Sequence, residues 1–274
     1  MNILKYLIAG LIIYSLVLAD SASAEGDTPA FVAIIIDDLG YNLRNGNRAL
    51  ELPGAITYSI LPYTRHSRLL AQKANRSGRE VMLHLPMENV RDHDIGPDGL
   101  TSRLDKAEFV STLHNALAEV PFARGINNHM GSYLTQQSEQ MHWLMDEISA
   151  KQIYFVDSRT TPMSVASDIA KQNHILESSR DVFLDNTQSL FAIDQSFRHL
   201  MRIAKTRGSA IAICHPRSTT LAYLEIALPL LEEEGIQLIS ASSLLAMRSA
   251  ALPRNSLAST NSASKLPADS HGSE

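Results

Sequence analysis

The chain has one cysteine, Cys214, so no intrachain disulfide can hold it together. It has no excess of positive charge. Lys and Arg number 24 against 29 Asp and Glu, a formal net charge of -5, and that leaves no basic footprint for nucleic acid. No internal repeat stands out, which excludes a repeat array, and there is no glycine-rich phosphate loop of the nucleotide-binding kind. The apolar run near the N-terminus, residues 6–19, falls short of the about 20 residues that a membrane-spanning helix needs.

What is present begins with that run. "MNILKYLIAGLIIYSLVLADSASA" sets Lys5 before the apolar stretch and closes on Ala22-Ser23-Ala24, the layout of a secretory signal peptide. Cleavage is expected after Ala24, with the mature protein periplasmic or secreted and without a stable membrane span. From residue 249 the chain turns to Ser, Ala, Pro and Asn without apolar periodicity, and a disordered tail is expected over 249–274. The 45% hydrophobic content of the 274 residues allows one sizeable domain between these ends, over 28–248.

Within it, short apolar runs alternate with longer helical patterns. Strands are expected over 31–36, 56–61, 80–85, 123–127, 153–157, either 175–178 or 182–184, 210–214 and 237–239. Helices are expected over 43–51, 65–75, 106–119, 138–150, 165–172, 190–206 and 221–234. Gly78, Gly208 and Gly235 follow helical segments, where a left-handed cap is wanted. Strands alternating with helices of this length give a parallel sheet. The fold class is α/β, a distorted or incomplete (β/α) barrel of about seven to eight strands, with an open doubly wound sheet second.

Chemistry-bearing residues gather where the apolar runs end. "FVAIIIDDLGYN" delivers Asp37 and Asp38 side by side, "LHLPME" His84 and Glu88, and "GINNHMGS" Asn127, Asn128 and His129. "FVDSRT" ends in Asp157 and Arg159, and "AICHPRSTT" in His215. The C-terminal ends of parallel strands are where α/β active sites form. Adjacent carboxylates repel unless a positive charge lies between them or one is protonated. Histidines with one or two carboxylates suit zinc or another divalent ion. Such an ion would let one aspartate bind it while the other stays ionised as a general base toward a water, as in metal-assisted hydrolysis of an amide or ester.

As a set, "AIIIDDLGYN", "VMLHLPME", "GINNHMGS", "FVDSRT", "VFLDN" and "AIAICHP" resemble the divergent polysaccharide deacetylase family over about residues 31–245. That family is similar to the NodB-type polysaccharide deacetylases. The resemblance implies a distorted (β/α) barrel, a divalent metal, zinc first, and removal of acetyl groups from a polysaccharide or cell-wall glycan. Position by position, it implies Asp37 as catalytic base, Asp38 and His84 as metal ligands, and His215 as general acid. Asp157 and Arg159 match the pair that orients that histidine and the base. The family places a second histidine four positions after the first, where this chain has Glu88. Either Glu88 replaces that ligand or another residue supplies it, and His129 is the candidate. This departure motivates a second reading, an envelope protein that keeps the metal site but only binds glycan or a protein partner.

Simpler roles are assigned elsewhere. Asp185 in "VFLDN" reads as a turn residue, and Met130, Met141, Trp143 and Met145 as core. Cys214 precedes His215 on a strand, so alternation sends the two side chains apart and argues against a Cys-His nucleophile pair. The loop 89–102, rich in Asp, Gly and Pro, is expected to form a mobile rim that recognises substrate.

Overall fold

The computed structural model describes residues 29–251; the expected leader, and the expected tail from residue 252 onward, lie outside the described residues. The chain alternates β1 (Ala30–Leu39), α1 (Leu43–Leu50), β2 (Thr57–Ile60), α2 (Ser67–Arg76), β3 (Glu80–Met87), α3 (Lys106–Glu119), β4 (Ala123–Met130), α4 (Ser138–Ala150) and β5 (Tyr154–Asp157). It continues through α5 (Ala166–Gln172), β6 (Glu177–Ser179), β7 (Val182–Phe183), α6 (Leu190–Arg207), β8 (Ser209–Cys214), α7 (Ser218–Ala227), α8 (Leu230–Glu233), β9 (Ile236–Leu238) and α9 (Ala241–Ala251). No helix among the described residues is long and apolar enough to cross a membrane.

The strands lie in the order β6-β5-β4-β3-β2-β1-β8-β7, all neighbours parallel, with β9 also on β1. The sheet curls into an open barrel, as the alternation of strands and helices predicts. Both short strands left as alternatives in the sequence form, and together they span the opening. β6 pairs with β5, Arg180 N–H still donates to Asp157 O, and from Asp181 N–H to Ile211 O onward the bonds go to β8.

Strand alternation divides the core in two. Val32, Ile34 and Ile36 of β1, with Val81, Leu83 and Leu85 of β3, face outward and pack under helix residues such as Leu70, Phe109, Leu144 and Leu200. Ala33, Ile35, Met82, Tyr154, Val156, Ile211 and Ile213 take the other parity and fill the barrel with Ala241, Leu244 and Leu245 of α9.

That last helix is absent from the sequence reading, and it runs three residues past the boundary of 248 set there. The segment is rich in Ser and Ala and buries only Ala241, Leu244 and Leu245, so the sequence reading leaves 241–248 inside the domain without an element and puts only 249–251 in the tail. It forms because it plugs the N-terminal mouth of the barrel. Buried Glu80 receives Thr57 Oγ1 (3.0 Å), Tyr154 Oη (2.8 Å) and Ser242 N–H (3.1 Å) at one side. Arg248 at the other end donates to Ser209 Oγ (2.9 Å), Ser178 Oγ (2.6 Å) and Asp181 Oδ2 (3.2 Å). Removing the Glu80 carboxylate strands those donors. Glu80→Ala is expected to lower unfolding free energy by about 3 kcal/mol, read from the urea midpoint, with metal content unchanged.

The helix expected over 221–234 is two helices, and its first turn begins at Ser218. Pro229 has no N–H to continue the ladder, so the chain breaks there and restarts. The expected left-handed caps are present, with φ of 66° at Gly78, 82° at Gly208 and 70° at Gly235.

Candidate metal centre

The interior parity that packs the barrel runs on into the site. Along β1 the inward series Ala33, Ile35 continues to Asp37; along β3, Met82 leads to His84; along β4, Asn127 and His129 follow Gly125; along β8, Ile213 leads to His215. Each apolar run therefore delivers its polar end residue to one point above the core.

Asp38 has the wrong parity for this and reaches the site by a backbone irregularity. The pairing of β1 with β2 shifts register between Ile36 and Leu39, and Asp38 takes a left-handed φ of 56°. Gly40 completes the bend at φ 133°, where any side chain would collide with Thr64. Both carboxylates thus face the same cleft.

Three donors meet there. Asp38 Oδ1 lies 3.0 Å from His129 Nδ1 and 3.2 Å from His84 Nε2, and the two ring nitrogens are 3.2 Å apart. All three fall within the 4.8 Å span of a possible metal-holding group. Asp38 Oδ1 is buried and has no hydrogen bond of acceptable geometry. Two imidazole nitrogens and an orphaned carboxylate oxygen, with open positions on the cleft side, fit a divalent cation.

Asn127, fully buried, sets the surroundings of this group. Its Oδ1 lies 2.7 Å from His84 Nδ1 and accepts from Ser59 Oγ at 2.6 Å, while its Nδ2 donates to Asp37 Oδ1 at 2.8 Å. An amide oxygen only accepts, so His84 carries a proton on Nδ1, and Nε2, facing Asp38 and His129, is the nitrogen that could bind a cation on giving up its own proton.

The environment separates the two aspartates. Burial pushes the Asp37 carboxyl up, against the pull of His84 and His215. Burial also opposes ionisation of Asp38, but the adjacent His129 and His84 outweigh it and hold that carboxyl far below the usual range. For His84, burial is likewise overcome by Asp37 and Asp38, and the ring is pushed up to about 9. Two carboxylates with opposed shifts suit a base beside a ligand.

His215 stands across Asp38, its Nε2 3.5 Å from Asp38 Oδ2. Its Nδ1 is 3.0 Å from Asp185 Oδ1, and its backbone N–H donates to Asp185 Oδ2 at 2.9 Å. Asp185 also accepts from Thr220 Oγ1 at 2.8 Å. Burial lowers the His215 pKa less than the Asp185 and Asp38 charges raise it, so the net direction is up.

The structure thus brings together Asp37, Asp38, His84, His129 and His215. It does not place Asp157 as read. Asp157 shares the outward parity of Phe155, is fully buried, and accepts the backbone N–H of Arg159 (2.7 Å). The carboxylate on His215 is instead Asp185, and the group on Asp37 is Asn127. Arg159 lines the cleft with a left-handed φ of 51°. Glu88 lies past the end of β3 and stays out of the donor group; its Oε2 accepts the N–H of Ser102 at 2.6 Å and pins the base of loop 89–102. Met130 lines the cleft, whereas Met141 and Met145 are core. Cys214 is buried on the outer side, as alternation requires.

Stepping back by two from His129 was the available signal for Asn127, and a carboxylate closing "VFLDN" the signal for Asp185. Arg180, which lines the same cleft of about 430 Å³, carried none, since only the crossing from β5 to β8 brings it there.

The model of divergent polysaccharide deacetylases matches residues 34–245. An uncharacterized protein of Haemophilus influenzae is 35% identical over 240 residues, covering 87% of this chain and 84% of its relative. Among solved structures, an uncharacterized protein from Agrobacterium tumefaciens C58 has a TM-score of 0.76 at 24% identity, covering 80% of this chain and 91% of that one. A CE4 family pseudoenzyme from Bacillus anthracis has a TM-score of 0.53 at 15% identity, covering 80% and 66%. Both structural likenesses concern the fold.

Proposed function

The chain belongs to the divergent polysaccharide deacetylase family, and from that membership we propose an exported, metal-dependent deacetylase of an acetylated glycan. The observation that carries the reading is the convergence of Asp38, His84 and His129 on one point with Asp37 and His215 beside it. Asp38, His84 and His129 would hold the cation, zinc first by donor type. When bound it would polarise the acetyl carbonyl and acidify an adjacent water. Asp37, fixed by Asn127, takes the proton from the attacking water. His215, oriented by Asp185, returns a proton to the departing nitrogen or oxygen. The acetyl C–N or C–O bond breaks, acetate leaves, and the glycan keeps an amine or hydroxyl. A cell-wall glycan is the substrate class that export favours.

Elemental analysis of protein recovered from the envelope fraction tests this together with acetate release. About one zinc per chain is expected, lost in His84→Ala and His129→Ala, with an N-terminus at Glu25. Wild-type protein that takes up no divalent metal would overturn the metal reading, and an intact leader would overturn cleavage. The second reading, glycan or partner binding without turnover, takes support from the structural relative described as a pseudoenzyme. Metal-loaded protein that binds acetylated glycan without releasing acetate is its signature.

A further inference from the structure

The cleft over the donor group is divided by charge. Asp37, Asp38 and the histidines form one wall, and Arg159 and Arg180 line the other. Arg180 is held in place by neutral acceptors, through Nε to Ser158 O (2.8 Å) and Nη2 to Arg159 O (3.3 Å), and its guanidinium sits 4.8 Å over the Phe183 ring. Among the described residues, neither guanidinium has a carboxylate oxygen within 4.0 Å.

Ser158 lines the cleft beside them. It is 6% exposed, and its Oγ is buried without a hydrogen-bond partner. A buried hydroxyl left unpaired is destabilising, and a ligand acceptor would satisfy it. Past Phe183 and Asn186 the cleft opens into a second depression of about 610 Å³, lined further by side chains of α6 such as His199 and by no acidic residue. At longer range Asp37 and Asp157 still act on Arg180, while Arg159 stands near it as a like charge, and an anionic ligand group between the two guanidinium groups would relieve that repulsion.

We propose that this wall is an anion subsite for a carboxylate on the glycan, carried by the acetylated sugar or by the unit next to it. The proposal rests on the deacetylase reading and names the substrate class it implies. Two guanidinium forks and a free hydroxyl match the planar, two-oxygen geometry of a carboxylate. The anion is confined to this side, because Asp37 and Asp38 repel it from the other.

The test compares an oligomer of N-acetylhexosaminuronic acid with its carboxyl-reduced, neutral counterpart on zinc-loaded protein. Wild type is expected to favour the charged oligomer at least about tenfold in kcat/KM, about 1.4 kcal/mol. Arg159→Gln should reduce that ratio below about threefold, mainly through KM, and Arg159→Lys should retain most of it. Equal rates on both oligomers, or an unchanged ratio in Arg159→Gln, would overturn the subsite. Release of acetate from neither oligomer would instead count against the deacetylase reading. Calorimetric binding then decides the subsite: tighter binding of the charged oligomer, lost in Arg159→Gln, supports it, and equal affinities overturn it.

Discussion

Asp37→Asn is expected to lower kcat for acetate release about a thousandfold while leaving zinc content and melting behaviour close to wild type. The size follows from the role: proton abstraction by a positioned base is worth roughly 10²–10⁴-fold. The selectivity follows from geometry. Asp37 is outside the donor group formed by Asp38, His84 and His129. An asparagine there can still accept from Asn127 Nδ2, now 2.8 Å from Asp37 Oδ1, so the buried network survives. What is lost is a carboxylate that burial keeps ready to take a proton. Turnover within tenfold of wild type would move the base elsewhere. Asp38→Asn makes the contrast, since it weakens a ligand and should lose metal and turnover together.

The barrel and the inward residues on β1, β3, β4 and β8 were legible because one rule governs both. The period-2 alternation that packs Ala33, Ile35, Met82 and Ile213 inside also aims Asp37, His84 and His215. Residues that break the alternation were harder. Asp38 needs a register shift and a left-handed backbone to face the cleft, and a string of letters carries neither. Asp157 was misread for the opposite reason. It obeys the alternation, and that sends it behind the strand, away from His215. Asp185 and Asn127 do through tertiary contact what the family pattern led us to expect of Asp157 and Arg159. The plugging helix α9 was invisible because its partners, Thr57, Glu80, Ser178 and Ser209, come from distant strand starts.

Asn127 is the residue whose replacement should reach furthest, because two functions share its amide. The oxygen fixes the His84 ring and the nitrogen fixes Asp37, so each half can be removed separately. Asn127→Leu removes both. It leaves His84 Nδ1–H, Asp37 Oδ1 and Ser59 Oγ without their partner in a dry site, and metal affinity should fall about 10–100-fold, as for lost orienting groups elsewhere. Turnover should fall further still, since the base is released as well. Asn127→Asp keeps an acceptor for His84 but sets a second carboxylate oxygen against Asp37. Metal affinity should then stay within about threefold of wild type, while kcat drops about a hundredfold and its pH profile shifts, because a like charge raises the pKa of the base. A merely structural role would predict the same loss of stability for both variants and no split between metal affinity and kcat. If Asn127→Asp loses metal as readily as Asn127→Leu, the orientation of His84 depends on something other than this amide. If both variants keep wild-type turnover, Asp37 is not the group whose position limits the reaction.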